Sequence, residues 1–509
     1  MGTHVFVMQG ESRQDVDARV KPGQGETLAG QKNLGCDTIY APATAAGRAA
    51  IAIIRLSGPG SGPAVQALAG KLPPPRVARH VRLSDPDSGA ELDDGLVLWF
   101  PGPHSVTGED VAELHLHGSR AVIAAVMAVL HGRGLRLAEP GEFTRRAFLN
   151  DKLDLTQAEA VADLAAAETE AQRRQALRQL DGHLGELYRG WSERLLRLLA
   201  HLEAAIDFPD EDLPPEIEAR VASETASLAA EIARHLDDGH RGERLRDGIA
   251  VAIVGPPNAG KSSLLNQLAR REAAITSPFP GTTRDVIEVA VDLAGYPVVF
   301  ADTAGLRDSA DPVEEEGLRR AVARAGSAEL RLFVFDAGCP EDARGAAQWP
   351  GPDTLLVGNK IDLAPKPSSP SPGLIRGSTR GSPSHASNGM AGSSPAMTTK
   401  GGGGTRWVLP DNAIPISALT GEGIPALIAT LAARIAPTYD IAAPLLTRAR
   451  HRAALESAAG ALARALGADL PELRAEDLRL AWRSLGQITG RADVEDLLDV
   501  IFRDFCLGK

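Results

Sequence analysis

Hydrophobic and polar positions change their spacing several times along the chain, and these changes predict a series of distinct segments. Residues 1–35 are polar and without a clear period, which is typical of a disordered extension or of an artefact of an upstream start. The short apolar runs 48–55 and 95–100 are bounded by turn residues and predict strands, as does the alternation over 111–117. Residues 119–131 have a helical period. We therefore expect a small mixed α/β domain over residues 36–154.

From Thr156 onward the apolar residues recur every three or four positions, which predicts helices. Thr156 and Glu159 have the form of a capping box at the start of the first helix. Helical sequence continues to about residue 245 with a break at 207–210, and a second helical stretch runs from about residue 448 to the end. We expect one discontinuous all-α domain formed by residues 155–246 and 440–509.

The insertion between these helical parts, residues 247–439, alternates strands with helices and predicts a doubly wound sheet. Within it, residues 365–405 are almost wholly Ser, Gly, Pro, Thr and Ala and contain no acidic residue. Such a segment cannot bury enough apolar surface to offset its chain entropy, so we expect a disordered, passive insert.

Length and composition narrow the class of protein. A chain of 509 residues exceeds one hydrophobic core, and 43% hydrophobic with 24% charged residues excludes a wholly disordered protein. The net charge of −12 argues against broad binding of nucleic acid, although a local basic patch can still bind one RNA. Three widely spaced cysteines, no long apolar run and no apolar signal segment predict a cytoplasmic protein without a membrane span.

The strongest local motif follows the apolar run 249–254. It is Gly255-Pro-Pro-Asn-Ala-Gly-Lys-Ser262, a glycine-rich loop between a predicted strand and a predicted helix. Backbone N–H groups of such a loop bind phosphates, while Lys261 contacts the outer phosphates and Ser262 ligates Mg²⁺.

Three further motifs stand at predicted strand ends in the order of a nucleotide site. Asp302-Thr-Ala-Gly305 can hold the metal and sense the terminal phosphate, Asn359-Lys-Ile-Asp362 can identify guanine, and Ser417-Ala-Leu419 can close over the guanine O6. Asp362 accepts two hydrogen bonds that guanine supplies and adenine does not. The motifs resemble those of the GTPase superfamily and predict a site for GTP rather than ATP, formed by Asn258, Ala259, Gly260, Lys261, Ser262, Ser263, Ser277, Thr282, Thr283, Asp302, Thr303, Ala304, Gly305, Asn359, Lys360, Asp362, Ser417, Ala418 and Leu419.

Three stretches outside this insertion indicate which family of GTPases the chain resembles. They are residues 47–58, 141–154 and 505–509. Together with the inserted GTPase, they make the chain similar to the tRNA modification GTPase MnmE (TrmE) family from about residue 37 to the end. The resemblance implies a folate-binding and dimerisation domain at 36–154, a discontinuous helical domain and an inserted P-loop GTPase domain.

The same resemblance implies an activity and its cofactors. Family members hydrolyse GTP and, with an FAD-dependent partner in a heterotetramer, add an aminomethyl or carboxymethylaminomethyl group to carbon 5 of the wobble uridine of certain tRNAs. They form homodimers, bind 5-formyltetrahydrofolate or a related one-carbon tetrahydrofolate, and use K⁺-dependent association of their GTPase domains.

Carried over by motif, the family implies specific ligands. Asn258, Ser277, Phe279 and Thr282 would surround K⁺, and Ser262 and Thr283 would ligate Mg²⁺. Leu306 stands where many GTPases have a water-orienting glutamine, so the resemblance assigns that role to Glu314. Lys261 and Cys506 complete the implied catalytic set, and the implied folate contacts are Arg55, Glu113, Lys152 and Lys509.

Two alternatives remain open from the sequence. A ribosome-assembly GTPase switch has a similar Asn-bearing phosphate loop, but such proteins carry an RNA-binding domain after the GTPase or a second GTPase copy. A folate-binding scaffold with a degenerate GTPase conflicts with the intact Lys261, Ser262, Thr283, Asp302 and Asp362. Folate binding separates the first alternative from the main hypothesis, and GTP turnover separates the second.

Overall fold

The computed structural model describes most of the chain as two compact units. The described residues are 37–207, 215–271, 288–302, 328–349, 353–364, 409–439 and 444–492, with 498, 501, 502, 505 and 508. One unit comprises Met1–Ser105 and Glu109–Leu137, and the other Val106–Gly108 and Ala138–Lys509. Within these described ranges, no helix is long and apolar enough to cross a membrane.

The first unit is a six-stranded sheet with two helices. Its strand order is β3-β4-β5-β2-β1-β6, in which β6 is parallel to β1. The elements are β1 Ile39–Pro42, β2 Ala49–Ser57, α1 Ser61–Ala69, β3 Arg79–Ser84, β4 Glu91–Phe100, β5 Val111–Gly118, α2 Arg120–Gly132 and β6 Arg136–Leu137. The predicted strands and helix are confirmed, and the Ser119 hydroxyl caps α2 by accepting a hydrogen bond from the Val122 N–H.

Alternation along β2 and β5 gives the sheet of the first unit two different faces. Ile54 and Leu56 of β2 lie in one core with Leu114 of β5 and with Val65 and Leu130 of the two helices. The intervening residues of β2 and β5, which include Arg55, Glu113 and His115, belong to the other face. The periodicity of two therefore brings charged side chains together on one side of the sheet.

The second unit contains helices from both ends of its sequence. They are α3 Glu142–Leu149, α4 Leu155–Ala166, α5 Glu170–Leu180, α6 His183–Asp207, α7 Pro215–Leu236 and α8 Arg241–Asp247, then α11 Ala449–Gly467 and α12 Pro471–Thr489. Tyr188 and Trp191 of α6 share one core with Leu455 and Leu462 of α11 and Leu478 of α12. Each fully buried side chain of this size contributes about 1.5–3 kcal/mol. The two distant helical stretches thus complete a single core.

The predicted capping box at Thr156 and Glu159 is wrong. Helix α4 begins two residues before it was expected to, with Asp154 as N-cap and Gln157 as its reciprocal partner. Thr156 lies inside the helix and donates its hydroxyl hydrogen to Asp154 Oδ1 at 2.6 Å. Glu159 is instead buried. Its carboxylate accepts a hydrogen bond from Arg450 Nε and contacts His451 Nε2, and both of these residues belong to α11.

A six-stranded, mainly parallel sheet lies between the two helical stretches in sequence. Its order is β12-β11-β10-β7-β9-β8, and only β8 runs antiparallel to its neighbour. The elements are β7 Ile249–Val254, α9 Lys261–Arg271, β8 Glu288–Leu293, β9 Tyr296–Asp302, β10 Leu330–Asp336, β11 Thr354–Asn359, β12 Ala413–Pro415 and α10 Ile424–Tyr439. Strand order reverses on either side of β7, and ligands of such sheets bind at this reversal, beyond the carboxyl ends of the strands.

The last described residues pack against the start of the helical stretch. Phe502 and Phe505 share a small core with Leu155 and Ala158 of α4. Gly141 precedes α3 with φ of 70°, and a Cβ there would lie 2.8 Å from the Phe502 carbonyl oxygen. Glycine is therefore needed where the C-terminal segment crosses this turn.

Candidate functional site

The glycine-rich loop joins β7 to α9 at the reversal of the strand order. Gly255 and Gly260 have φ of 141° and 92°, which L side chains rarely adopt. A Cβ at Gly255 would overlap the Val334 carbonyl oxygen, and one at Gly260 would overlap the Asn359 amide nitrogen. The glycines thus let the loop lie directly on β10 and on the end of β11.

Lys261 is the first residue of α9 and is only 6% exposed. Its Nζ donates to the Gly255 carbonyl oxygen at 2.8 Å and to the Pro256 carbonyl oxygen at 2.9 Å. Burial lowers the pKa of Lys261, and the nearby Asp302 carboxylate partly opposes that change. The ammonium group is therefore held inside the curve of the loop, where phosphate oxygens bind in loops of this type.

Ser262 and Asp302 meet although 40 positions separate them in sequence. The Ser262 hydroxyl donates to Asp302 Oδ2 at 2.6 Å, because α9 starts beside the end of β9. A hydroxyl next to a carboxylate is a donor set that suits Mg²⁺, which prefers oxygen ligands. Ser263, the next residue of α9, is exposed. Among the residues that the structure describes, no cluster of three His, Cys, Asp or Glu side chains could hold a metal by itself.

Asn359 connects the phosphate loop to the second half of the predicted site. Its side chain is 2% exposed and donates from Nδ2 to the Ala259 carbonyl oxygen at 2.8 Å. Its Oδ1 accepts the Ala418 N–H at 2.9 Å. Since buried polar atoms are costly when unpaired, these two bonds fix the loop at 259 and the segment at 418 relative to each other.

Asp362 and Ser417 form the part of the site predicted to bind guanine. The Ser417 hydroxyl donates to Asp362 Oδ1 at 2.5 Å and also accepts the Thr420 N–H. This leaves the carboxylate oriented, with one oxygen engaged by Ser417. Leu419 follows Ala418 and is 82% exposed. The structure therefore brings the motifs at 258–263, 302, 359–362 and 417–419 to one edge of the sheet.

Asp336 belongs to this edge and was missed by the sequence analysis. It ends β10 directly beside Asn359 in the parallel register, and its Oδ2 accepts a hydrogen bond from Lys360 Nζ at 2.8 Å. Burial raises the pKa of Asp336, but the hydrogen bonds from Lys360 and the Gly338 N–H outweigh it and lower the pKa overall. The available signal was an acidic residue that ends an apolar strand, as Asp302 does.

The first unit holds two of the residues implied to bind folate. Arg55 Nη2 lies 3.0 Å from Glu113 Oε1, because the two residues face each other across β2 and β5. His115 Nε2 lies 3.3 Å from Glu113 Oε2, so both carboxylate oxygens have a partner. Lys152 belongs to the second unit, where it follows α3 and is exposed.

Several predicted site residues lie outside the described residues. They are Ser277, Phe279, Thr282, Thr283, Thr303, Ala304, Gly305, Glu314, Cys506 and Lys509, together with the low-complexity segment 365–405. Of the predicted K⁺ ligands only Asn258 is described. Its backbone has φ of 59° in the phosphate loop, and the residue is exposed.

Comparison with known proteins gives matches over most of the chain. The family model for the MnmE helical domain matches residues 155–506, and that for the GTP-binding protein TrmE N-terminus matches residues 38–152. The tRNA modification GTPase MnmE of Rhodospirillum rubrum is 54% identical over 488 residues, covering 93% of this chain and 99% of that protein. The protein of the same name from Paramagnetospirillum magneticum is 56% identical over 479 residues, covering 93% and 100%.

A solved structure of the G domain of the T. maritima FeoB iron transporter also aligns with part of the chain. The alignment covers 38% of this chain and 99% of that domain, with 19% identity and a TM-score of 0.23.

Proposed function

The chain belongs to the tRNA modification GTPase MnmE family, and we propose that it hydrolyses GTP to support modification of the wobble uridine of certain tRNAs. The observation that best supports this proposal is the pair of hydrogen bonds made by Asn359. They join the phosphate loop at Ala259 to the guanine-binding segment at Ala418, as a guanine nucleotide site requires.

The proposed architecture has three parts. Residues 36–154 form the tetrahydrofolate-binding and dimerisation domain, and residues 155–246 and 440–509 form the helical domain. Residues 247–439 form the doubly wound GTPase domain, with 365–405 as a low-complexity insert. The helical core shared by α6, α7, α11 and α12 supports this division.

In the proposed mechanism, residues of this chain bind and orient GTP without covalent chemistry. Asp362, oriented by Ser417, accepts the N1–H and the exocyclic amine of guanine. Lys261 and the loop N–H groups neutralise the phosphate oxygens on which charge develops. Glu314 orients the attacking water, a role that Leu306 cannot fill.

Two ions and a folate complete the proposal. Ser262 and Thr283 would hold Mg²⁺, which would neutralise negative charge on the phosphates. Asn258, Ser277, Phe279 and Thr282 would hold K⁺, which would offset negative charge of the phosphates. Support for the first comes from the contact of Ser262 with Asp302, and for the second from the exposed position of Asn258 in the phosphate loop.

We propose that Arg55, Glu113, Lys152 and Lys509 bind a one-carbon tetrahydrofolate. The N–H donors on the edge of a pteridine match a carboxylate acceptor, and Arg55 holds the Glu113 carboxylate in place at 3.0 Å. We further propose that the chain acts in the cytoplasm as a homodimer on tRNA, with an FAD-dependent partner that completes the carbon 5 modification. Cys506 is assigned to that modification.

Steady-state GTP hydrolysis in KCl and in NaCl at matched ionic strength tests the proposal. We expect strong stimulation by K⁺, and Glu314→Ala should lower the stimulated rate by about 10²–10⁴-fold because the attacking water loses its orienting group. Glu316→Ala removes a neighbouring charge and is the matched control, which should keep the stimulation. Equal and slow turnover in both salts would refute the potassium-and-glutamate mechanism.

A further inference from the structure

The polypeptide crosses twice between the helical core and the inserted sheet. The outgoing crossing is α8, which ends at Asp247 and leads into β7 and the phosphate loop. The returning crossing ends at Arg448, the N-cap of α11. Both crossings contact α4 and α5, and the outgoing crossing also contacts α11, where Arg452 Nε donates to Glu243 of α8 at 3.3 Å.

One carboxylate contacts both crossings. Asp163 of α4 accepts a hydrogen bond on Oδ1 from Arg246 Nε at 3.0 Å and from Arg448 Nη2 at 2.7 Å. The Asp163 side chain is 15% exposed, so water screens these charge-assisted bonds less than it would at an open surface. Arg246 lies three positions before β7, and Arg448 is the last residue before α11.

Helix α5 supports the same arrangement with polar side chains. Gln172 Nε2 donates to the Arg246 carbonyl oxygen on the outgoing crossing at 2.9 Å. The Thr447 hydroxyl, on the returning crossing, donates to Gln179 Oε1 at 2.9 Å. The Ala171 N–H donates to the Gly295 carbonyl oxygen in the turn between β8 and β9, also at 2.9 Å. Helix α5 therefore contacts the outgoing crossing, the returning crossing and the sheet itself.

We propose that Asp163 is a positioning residue that transmits nucleotide-dependent movements of the inserted GTPase sheet to the helical core; this inference rests on the proposed function. A sheet attached by two free tethers can move without moving the helices. A sheet whose two connections share one carboxylate must displace α4 when it moves, because Arg246 is linked through β7 to the phosphate loop. In the part of the chain that the structure describes, Asp163 bonds Arg246 and Arg448, which lie outside the predicted nucleotide site, so its loss should leave hydrolysis intact.

The first test compares two activities of the full chain. Asp163→Ala should keep K⁺-stimulated GTP turnover within about twofold of wild type but lower tRNA modification, measured with the flavin partner, by about tenfold or more. Asp163→Asn keeps one acceptor oxygen without the charge and should give an intermediate loss. The matched control is Asp477→Ala, which removes the Asp477–Arg464 pair between α11 and α12, and should affect neither activity.

A parallel loss of turnover and modification in Asp163→Ala would overturn the proposal, and so would full retention of both. If the wild-type protein hydrolyses GTP but modifies no tRNA, the proposed function fails instead. In that case, the coupling through Asp163 is tested by a measurement that needs no tRNA.

That measurement is the distance distribution between spin labels introduced as non-canonical amino acids at exposed Glu456 of α11 and exposed Glu422 of the inserted domain. With the labelled chain diluted in excess unlabelled protein, so that each dimer carries one labelled chain, wild type should give one narrow distribution in each nucleotide state, since the carboxylate fixes both crossings. Asp163→Ala should broaden the distribution, and Asp477→Ala should not. A broad distribution in wild type, or one unchanged in Asp163→Ala, would contradict the coupling.

Discussion

Asn359 shows how a single side chain can connect two distant parts of a binding site. Its amide bonds Ala259 on one side and Ala418 on the other, so the phosphate loop and the guanine-binding segment are oriented together. Asp362 lies three positions later and depends on this arrangement because its hydroxyl donor, Ser417, directly precedes Ala418. In the proposed site, selectivity for guanine would therefore depend on a carboxylate that is already oriented.

Exchanging Asp362 for Asn tests this arrangement. In Asp362→Asn, a donor amide nitrogen takes the place of one of the two carboxylate oxygens that accept hydrogen bonds from guanine. A hydrogen bond to a charged group contributes about 1.5–3 kcal/mol, and this contribution is lost. We expect the affinity for GTP to fall by about 10–150-fold, while binding of xanthosine triphosphate improves, since xanthine has an oxygen in place of the exocyclic amine. Competition binding with both nucleotides measures the change, and an unaltered preference for GTP would contradict the role of Asp362.

At the scale of elements, local motifs could be predicted from the sequence and lateral contacts could not. The strand, loop and helix around Gly255 to Ser262 follow from neighbouring residues, because glycine placement and the apolar run act within a few positions. Asp336 escaped prediction because its partner, Lys360, reaches it only after β10 and β11 pair. The helix start at Asp154 was misjudged because Asp154 and Thr156 can both cap, and burial of Glu159 decided between them.

The phosphate loop as an element depends on the absence of a side chain at Gly260. In Gly260→Ala the new Cβ meets the Asn359 amide nitrogen at a backbone φ of 92°. We expect Asn359 to move and both of its hydrogen bonds to weaken, with a loss of about 1–3 kcal/mol in the free energy of unfolding. Chemical denaturation and GTP titration of the same variant measure the effect.

Gly132→Ala provides the control for that substitution. Gly132 is the last residue of α2, and a Cβ there meets nothing within 4 Å. Its GTP affinity should match wild type, and its free energy of unfolding should be unchanged or raised by up to about 1 kcal/mol, because alanine favours the helix. If Gly260→Ala behaves in the same way as this control, the close approach of the loop to Asn359 does not restrict the site.

The stability of the whole molecule should depend on pH through its helical core. His235 of α7 packs edge-on against Tyr188 and Trp191, and burial lowers its pKa. When folding lowers the pKa of a base, the unfolded chain takes up a proton at a higher pH than the folded chain does. The free energy of unfolding therefore decreases as the pH falls. The loss of unfolding free energy should begin near pH 6.5, the ordinary pKa of histidine. It should increase as the pH falls toward the lower pKa of His235 in the folded state.

Thermal unfolding between pH 7.5 and 5.5 measures this dependence. We expect the midpoint to fall on acidification, by about 2–4 °C for each kcal/mol lost in a domain of about 200 residues. His235→Phe keeps an aromatic ring but cannot titrate, so its midpoint should fall less steeply. Buried His451 has its pKa lowered in the same direction, which leaves a residual slope. Equal slopes in wild type and variant would contradict the assignment to His235.

The helical core shared by both ends of the second unit also imposes an order on synthesis. Its early residues reach Ile232 and its late ones begin at Leu446, about 210 residues further along the chain. At the usual pace of translation the ribosome needs roughly 10–40 s to cover that interval. During this time the apolar stripe of α6, including Trp191 and Leu195, has left the ribosome before α11 and α12 exist to cover it. The strands of the inserted sheet are all synthesised within this interval, so the sheet can fold first. The apolar stripe of α6 must then be protected from other contacts until α11 and α12 have been synthesised.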